Sequence, residues 1–218
     1  MKKEVLTGTA FVYTERGCTL SEDTLLLARF AAEKHPKRIC DLGTGCGAIP
    51  LFLLGEGARY AQGVEREPEA AALARRSAQD NGLCDRFAVV TADWNDLPLP
   101  DESFDLVTCN PPYFKKGSGA ASPDPARRAA REEDENGIVG VCRAAAKLLA
   151  YHGSACFCYR PERLADLLCA MREADLEPKK LRYVVNQGST EPCLVLAEGR
   201  KGAHPGLTTE IFRKGEQA

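Results

Sequence analysis

Arg38-Ile39-Cys40-Asp41-Leu42-Gly43-Thr44-Gly45-Cys46-Gly47 reads as a short apolar strand running directly into a glycine-rich turn. Glycines at such a point permit a tight turn and let the backbone approach a ligand closely. An apolar helix follows over residues 48–54. Pro50 is tolerated there because it falls in the first turn, where its missing N–H is not needed. Gly55 and Gly57 end that helix. Strand, glycine turn and helix in this order form the opening unit of an α/β sheet.

Working outward, residues 21–30 read as a helix with Ser21 as its cap and Glu22 and Asp23 at the positive end of its dipole. It should stop before Pro36. The residues before it, to about Cys18, carry no clear pattern and read as an N-terminal extension (1–20) of a single domain. Downstream, strands are expected at residues 60–65, 87–91 and 104–109, with a helix opened by Pro68 and stopped by Gly82. Residues 115–136 are Gly, Ser, Pro and charge, and read as a long loop. Then come a helix over 138–150, a strand over 154–159, a helix over 161–174 and strands at 181–185 and 193–198. The last two lie too close for an intervening helix, so they should pair as an antiparallel hairpin. The result is a seven-stranded, mostly parallel sheet with helices on both faces. This arrangement resembles the Rossmann-like class I methyltransferase fold.

The chain has 218 residues, 44% hydrophobic and 28% charged, which suits one domain with a sizeable core. No apolar run is long enough to span a bilayer, and the opening residues carry no export signal, so no membrane partner and a cytoplasmic location are expected. The ten cysteines form no C-x-x-C pair, and no metal site is expected from them. Cys156 and Cys158, two apart in an apolar run, should share one strand face. A formal net charge of -2 excludes a generic basic coat for nucleic acid, so any RNA contact must come from local charge.

Gly43-x-Gly45-x-x-Ala48, with Glu65 about twenty residues on, satisfies a loose dinucleotide fingerprint. Two features favour S-adenosylmethionine instead. Asp41 ends the strand before the loop, where a carboxylate would repel a pyrophosphate but attract a cationic methionine end. Ala92-Asp93-Trp94 follows the third strand: Asp93 can accept from an adenine amino group, and the Trp94 backbone N–H can satisfy a ring nitrogen. Glu65 can take both ribose hydroxyls. Gly43, Thr44, Gly45 and Gly47 complete the candidate cofactor contacts. The three carboxylates fall at strand ends, where open α/β sheets bind ligands.

Asn110-Pro111-Pro112-Tyr113 ends the fourth strand and points to the chemistry. An exocyclic amine on an aromatic ring is a poor nucleophile because its lone pair is delocalised. The Asn110 side-chain oxygen and the Pro111 carbonyl can each accept one N–H, drawing the nitrogen toward tetrahedral shape and freeing the lone pair. Pro112 restricts Pro111 to an extended conformation, which helps aim that carbonyl. Tyr113 can stack on the substrate plane, an interaction of about 1–3 kcal/mol per base. Transfer then depends on positioning and electrostatics, with no metal needed.

The tetrapeptide resembles that of amino-group methyltransferases acting on adenine, cytosine, guanine or the glutamine amide of release factors. Its continuation Phe114-Lys115-Lys116-Gly117-Ser118-Gly119, with Ala130-Arg131-Glu132-Glu133, Arg160-Pro161-Glu162-Arg163-Leu164 and Glu198-Gly199-Arg200-Lys201-Gly202, resembles the bacterial tRNA1(Val) (adenine(37)-N6)-methyltransferase family. The likeness runs from about Ser21 to Leu207. It implies that Asp41, Gly43, Gly45, Glu65, Asp93 and Trp94, joined by Asn110, hold S-adenosylmethionine, and that residues 110–113 hold an adenine of tRNA. The family usually has Thr where Glu22 stands and His where Glu132 stands.

Phe114, Lys115, Lys116 and Arg131, with Arg127 and Arg128, are candidate contacts to the RNA around a flipped base. Lys179, Lys180, Arg182, Arg200 and Lys201 form a second basic cluster. Three rival readings stand beside the tRNA adenine enzyme: a methyltransferase acting on protein glutamine or rRNA, a NAD-dependent oxidoreductase, and an idle RNA-binding protein. The glutamine enzymes usually carry an N-terminal helical domain for which this chain has no room. The oxidoreductase reading lacks an obvious catalytic His, Lys or Tyr pair.

Overall fold

The structure, a computed structural model, describes residues 1–8, 10–111, 114–115, 132–133 and 137–215. Its centre is an eight-stranded sheet. In chain order its strands are β3 (Arg38–Leu42), β4 (Tyr60–Glu65), β5 (Phe87–Thr91), β6 (Phe104–Cys109), β9 (Leu149–Tyr159), β10 (Leu176–Val185), β11 (Pro192–Lys201) and β12 (Thr208–Arg213). Their order across the sheet is β12-β10-β11-β9-β6-β3-β4-β5. β11 alone runs against its neighbours β10 and β9, which places the expected hairpin inside the sheet.

The expected count of seven strands is corrected to eight by β12. It pairs in parallel with β10, Lys180 opposite Thr208 through Val185 opposite Arg213. As an edge strand it buries little, and its Thr-Thr-Glu-Ile-Phe-Arg sequence has no apolar run to announce it. The N-terminal residues are also ordered: β1 (Lys2–Thr7) and β2 (Ala10–Thr14) form a separate antiparallel hairpin. Two further elements, β7 (Phe114–Lys115) and β8 (Glu132–Glu133), pair in parallel.

Alternation along the strands divides the core into two faces. Ile39, Leu106, Cys156, Cys158, Leu194 and Leu196 point to one side. Cys40, Val107, Ala155, Phe157, Val195 and Ala197 point to the other. Cys156 and Cys158 thus share a face, as their spacing predicts. The first face is covered by α1 (Glu22–Ala32), α2 (Ala48–Gly55) and α3 (Pro68–Asp80), the second by α4 (Gly137–Leu148) and α5 (Leu164–Glu173), the latter preceded by a 3-10 turn at Pro161–Arg163. Ser21 caps α1, its side chain accepting from the Thr24 N–H. α2 is buried from Ala48 to Leu54, consistent with a helix that is apolar all round.

The hairpin docks on α3 through hydrogen bonds that imitate a strand partner. The Phe11 N–H donates to Asn81 Oδ1 at 3.2 Å, and Asn81 Nδ2 returns a bond to the Phe11 carbonyl at 2.8 Å. The Tyr13 N–H donates to Ser77 Oγ at 3.0 Å. This satisfies backbone groups that an edge strand would otherwise leave open. No helix among the described residues is long and apolar enough to cross a membrane.

Candidate active site

The parallel strands β3, β4, β5 and β6 lie side by side and end in the segments singled out from sequence. Leu42 lies opposite Val64 on β4 and Cys109 on β6, and Glu65 lies opposite Thr91 on β5. The residues that follow, Gly43 to Gly47, Asp93 and Trp94, and Asn110 and Pro111, therefore crowd one end of the sheet.

The glycine turn is held from within. The N–H groups of Gly43 and Thr44 both donate to the Val64 carbonyl at 2.9 Å, and the Gly45 N–H donates to Glu65 Oε2 at 2.8 Å. In a dinucleotide loop, donors of this kind face a pyrophosphate; here these three are already engaged, and one of them by a carboxylate. Gly47 has φ +83°, and a Cβ there would lie 2.8 Å from Phe87 Cε1. Gly63, inside β4, is the less obvious requirement. A Cβ on it would come within 2.7 Å of Thr44 Cγ2, so glycine lets the turn settle against the strand.

Asp41 lies beneath the turn, almost fully buried, and accepts a 2.6 Å hydrogen bond from the Thr108 hydroxyl. Burial pushes its carboxyl up to about 7, against the hydrogen bond from Thr108, with the nearby Glu65 charge adding to the rise. The Thr44 hydroxyl is close enough to Asp41 to favour its charged form, and no better-aligned partner for it lies among the described residues. Asp41 thus offers no open contact at the surface of the turn.

Glu65 spans the turn: besides Gly45, its Oε1 accepts from the Glu67 N–H at 3.0 Å. Asp93 is oriented by Asn95, whose backbone N–H and side-chain Nδ2 both donate to Asp93 Oδ1 at 2.8 Å. Oδ2 is left without a partner among the described residues. Asn95 escaped the sequence reading, although Asp-x-Asn is a known signature of a side chain folding back on its own turn. Trp94 packs beside Gly43, with Cζ3 3.8 Å from where a Gly43 Cβ would sit. Its indole N–H is buried and lacks a partner among the described residues. Buried polar groups are rarely left unmatched. The buried Trp94 indole N–H and the Asp93 Oδ2, both unpartnered among the described residues, leave a donor and an acceptor for an adenine-bearing ligand, and the carboxylates of Asp41 and Glu65 suit a cationic one, so the residues fit S-adenosylmethionine.

Asn110 is half-buried at the end of β6, and Pro111 is buried next to it. Asn110 Nδ2 donates to Thr24 Oγ1 on α1 at 3.2 Å. Thr24 too was missed, because its partner lies 86 residues away. Pro112, Tyr113, Lys116 and Arg131, along with Arg127 and Arg128, lie outside the described residues. Phe114 and Lys115 are placed only as the backbone of β7.

Arg200 and Lys201 of the second basic cluster lie away from the site. Cys109 lies opposite Phe157 and so level with Ala197, whereas Arg200 pairs with Ser154, toward the far end of the sheet. Its charges are also engaged. Lys180 bridges Glu33 and Glu210, both at 3.0 Å, and Arg182 pairs with the same two carboxylates. Lys201 pairs with Glu102 at 3.0 Å. Glu22, where the resembled family usually has Thr, pairs with Lys214 beyond β12 at 2.8 Å.

Comparison with known proteins agrees with this geometry. The family described as "Methyltransferase domain" matches residues 39–132. The tRNA1(Val) (adenine(37)-N6)-methyltransferase of Porphyromonas gingivalis is 30% identical over 211 residues, covering 92% of this chain and 82% of that protein. The protein of the same name from Parabacteroides distasonis is 28% identical over 204 residues, covering 89% and 85%. Among solved structures, a predicted O-methyltransferase of Agrobacterium tumefaciens superposes with a TM-score of 0.67 at 23% identity, covering 91% of each chain. A geranyl diphosphate methyltransferase in complex with SAM gives 0.59 at 13% identity, over 81% of this chain and 84% of that one. These two show the class I methyltransferase fold. The chain belongs to the tRNA1(Val) (adenine(37)-N6)-methyltransferase family.

Proposed function

We propose that the protein transfers the methyl group of S-adenosylmethionine to the N6 amino group of an adenine in tRNA, close to the anticodon. The observation that carries this reading is the row of strand ends: carboxylates at Asp41, Glu65 and Asp93 on three adjacent strands, and Asn110 on the fourth. The names of the relatives supply the substrate class.

S-adenosylmethionine, when bound, supplies a methyl group on a cationic sulfur, which leaves as a neutral thioether. Asp93 Oδ2 and the Trp94 backbone N–H hold its adenine, Glu65 its ribose hydroxyls, and the field of Asp41 its cationic end. The Asn110 Oδ1 and the Pro111 carbonyl accept the two hydrogens of the target amine, hold its nitrogen in line, and oppose delocalisation of its lone pair into the ring. Preorganised acceptors of this kind act where charge and geometry change in the transition state. The family resemblance assigns Tyr113 the stacking contact with the target base, and Phe114, Lys115, Lys116 and Arg131 contacts with the RNA.

The test is transfer of labelled methyl from S-adenosylmethionine to unmodified bacterial tRNA, with the nucleosides then resolved by mass spectrometry. N6-methyladenosine as the labelled product is expected. Label in another nucleoside, or only in an added release-factor peptide, would refute the adenine assignment.

A further inference from the structure

An asparagine side chain has two unlike ends, one donating and one accepting. Only the oxygen end can serve a target amino group; the amide nitrogen in its place would set donor against donor. What fixes the choice at Asn110 lies on α1, far away in sequence. Asn110 Nδ2 donates to Thr24 Oγ1 at 3.2 Å. The Thr24 hydroxyl lies 2.8 Å from Ser21 Oγ, which also accepts the Thr24 backbone N–H at 3.2 Å. The Thr24 oxygen takes the amide hydrogen, and the Thr24 and Ser21 hydroxyls share a hydrogen bond in which either can donate, so the contacts link Asn110, Thr24 and Ser21. The relay is seated in the first turn of α1, whose buried face includes Leu26, Leu27 and Phe30. In this arrangement the Thr24 oxygen accepts from the Asn110 amide, and the contact with Ser21 holds the hydroxyl in place.

We propose that Thr24 is a positioning residue for methyl transfer. It takes the Asn110 amide N–H so that Oδ1, not Nδ2, faces the target amine, and Ser21 holds the Thr24 hydroxyl in that role. The inference rests on Asn110 being the amine acceptor. A Thr that only supported the helix start would act on folding and leave the chemical step unchanged.

The experiment compares Thr24→Val, which keeps the shape and removes the acceptor, with Thr24→Ser, which keeps the hydroxyl. Asn110→Ala is measured alongside under the same tRNA and S-adenosylmethionine concentrations. Thr24→Val should lower kcat about 10- to 100-fold, the range seen when one preorganised polar contact is lost or loosened. KM for tRNA and Kd for S-adenosylmethionine should stay within about threefold, and Thr24→Ser should recover most of kcat. Unchanged kcat in Thr24→Val, with Asn110→Ala inactive, would overturn the role of Thr24 and leave Asn110 as acceptor. So would a loss that Thr24→Ser fails to restore and that follows the melting temperature. Full activity in Asn110→Ala would remove the premise, and the inference with it.

Discussion

Replacing Asp41 with Asn tests the electrostatics of the cofactor loop through folding alone, before any ligand is added. Asp41 is buried, and desolvation raises its carboxyl to about 7. In the unfolded chain the same group titrates near about 3.9. Between these values the folded protein holds a proton that the unfolded chain has released, so wild-type stability falls as pH rises through the window and levels off above about 7. At one pKa unit per about 1.4 kcal/mol, the penalty is about 1.5 kcal/mol at pH 5 and about 4 kcal/mol at pH 8. Asn has no charge to bury and retains an oxygen for the Thr108 hydroxyl, which donates to Asp41 at 2.6 Å. The Asn variant should therefore gain on wild type by about 2–3 kcal/mol between pH 5 and pH 8. Urea unfolding of both proteins at several pH values reads this directly, because other titrating groups cancel in the difference. The same variant should bind S-adenosylmethionine more weakly, since it lacks the charge opposite the cationic end. A stability difference that does not vary with pH, or one that favours wild type increasingly at high pH, would refute the reasoning.

The loop offers two further tests. Gly63→Ala places a methyl 2.7 Å from Thr44 Cγ2 and 3.2 Å from Phe87 Cε2. Overpacking of this kind should lower stability by about 1–3 kcal/mol, and displacement of Thr44 should weaken cofactor binding further, read by thermal melts with and without S-adenosylmethionine. Asn95→Ala removes the side-chain bond that helps aim Asp93 and leaves only the bond from the Asn95 backbone N–H. Loss of about 1 kcal/mol of orientation should raise the Kd for S-adenosylmethionine about five- to tenfold by calorimetry, with little change in the melting temperature of the unliganded protein.

The strand ends were legible because their chemistry is local. A glycine turn after an apolar strand, an acid after each of three strands and Asn110-Pro111 after the fourth sit within a few residues of the elements that position them. The hairpin of β1 and β2 was not legible, since β2 is held by distant residues, Ser77 on α3 and Asn81 just after it. β12 was missed because an edge strand needs no apolar face. Charge along the chain does not reveal its partners, as Lys180 and Arg182 of the second basic cluster show. Glu33, 147 and 149 residues from Lys180 and Arg182, meets both. Thr24 and Asn95 were missed for different reasons: Thr24 meets Asn110 across 86 residues, whereas Asn95 bonds Asp93 within its own turn.

At the heart of the proposed reaction, Asn110 Oδ1 accepts one hydrogen bond from an adenine amino group while the Pro111 carbonyl accepts the other. The most direct test is single-turnover methyl transfer to unmodified tRNA by wild type and by Asn110→Ala, with cofactor affinity measured on both. The account predicts that N6-methyladenosine forms with wild type and falls by at least about 100-fold with Asn110→Ala, while the variant still binds S-adenosylmethionine. Equal rates of N6-methyladenosine formation in the two proteins would contradict it.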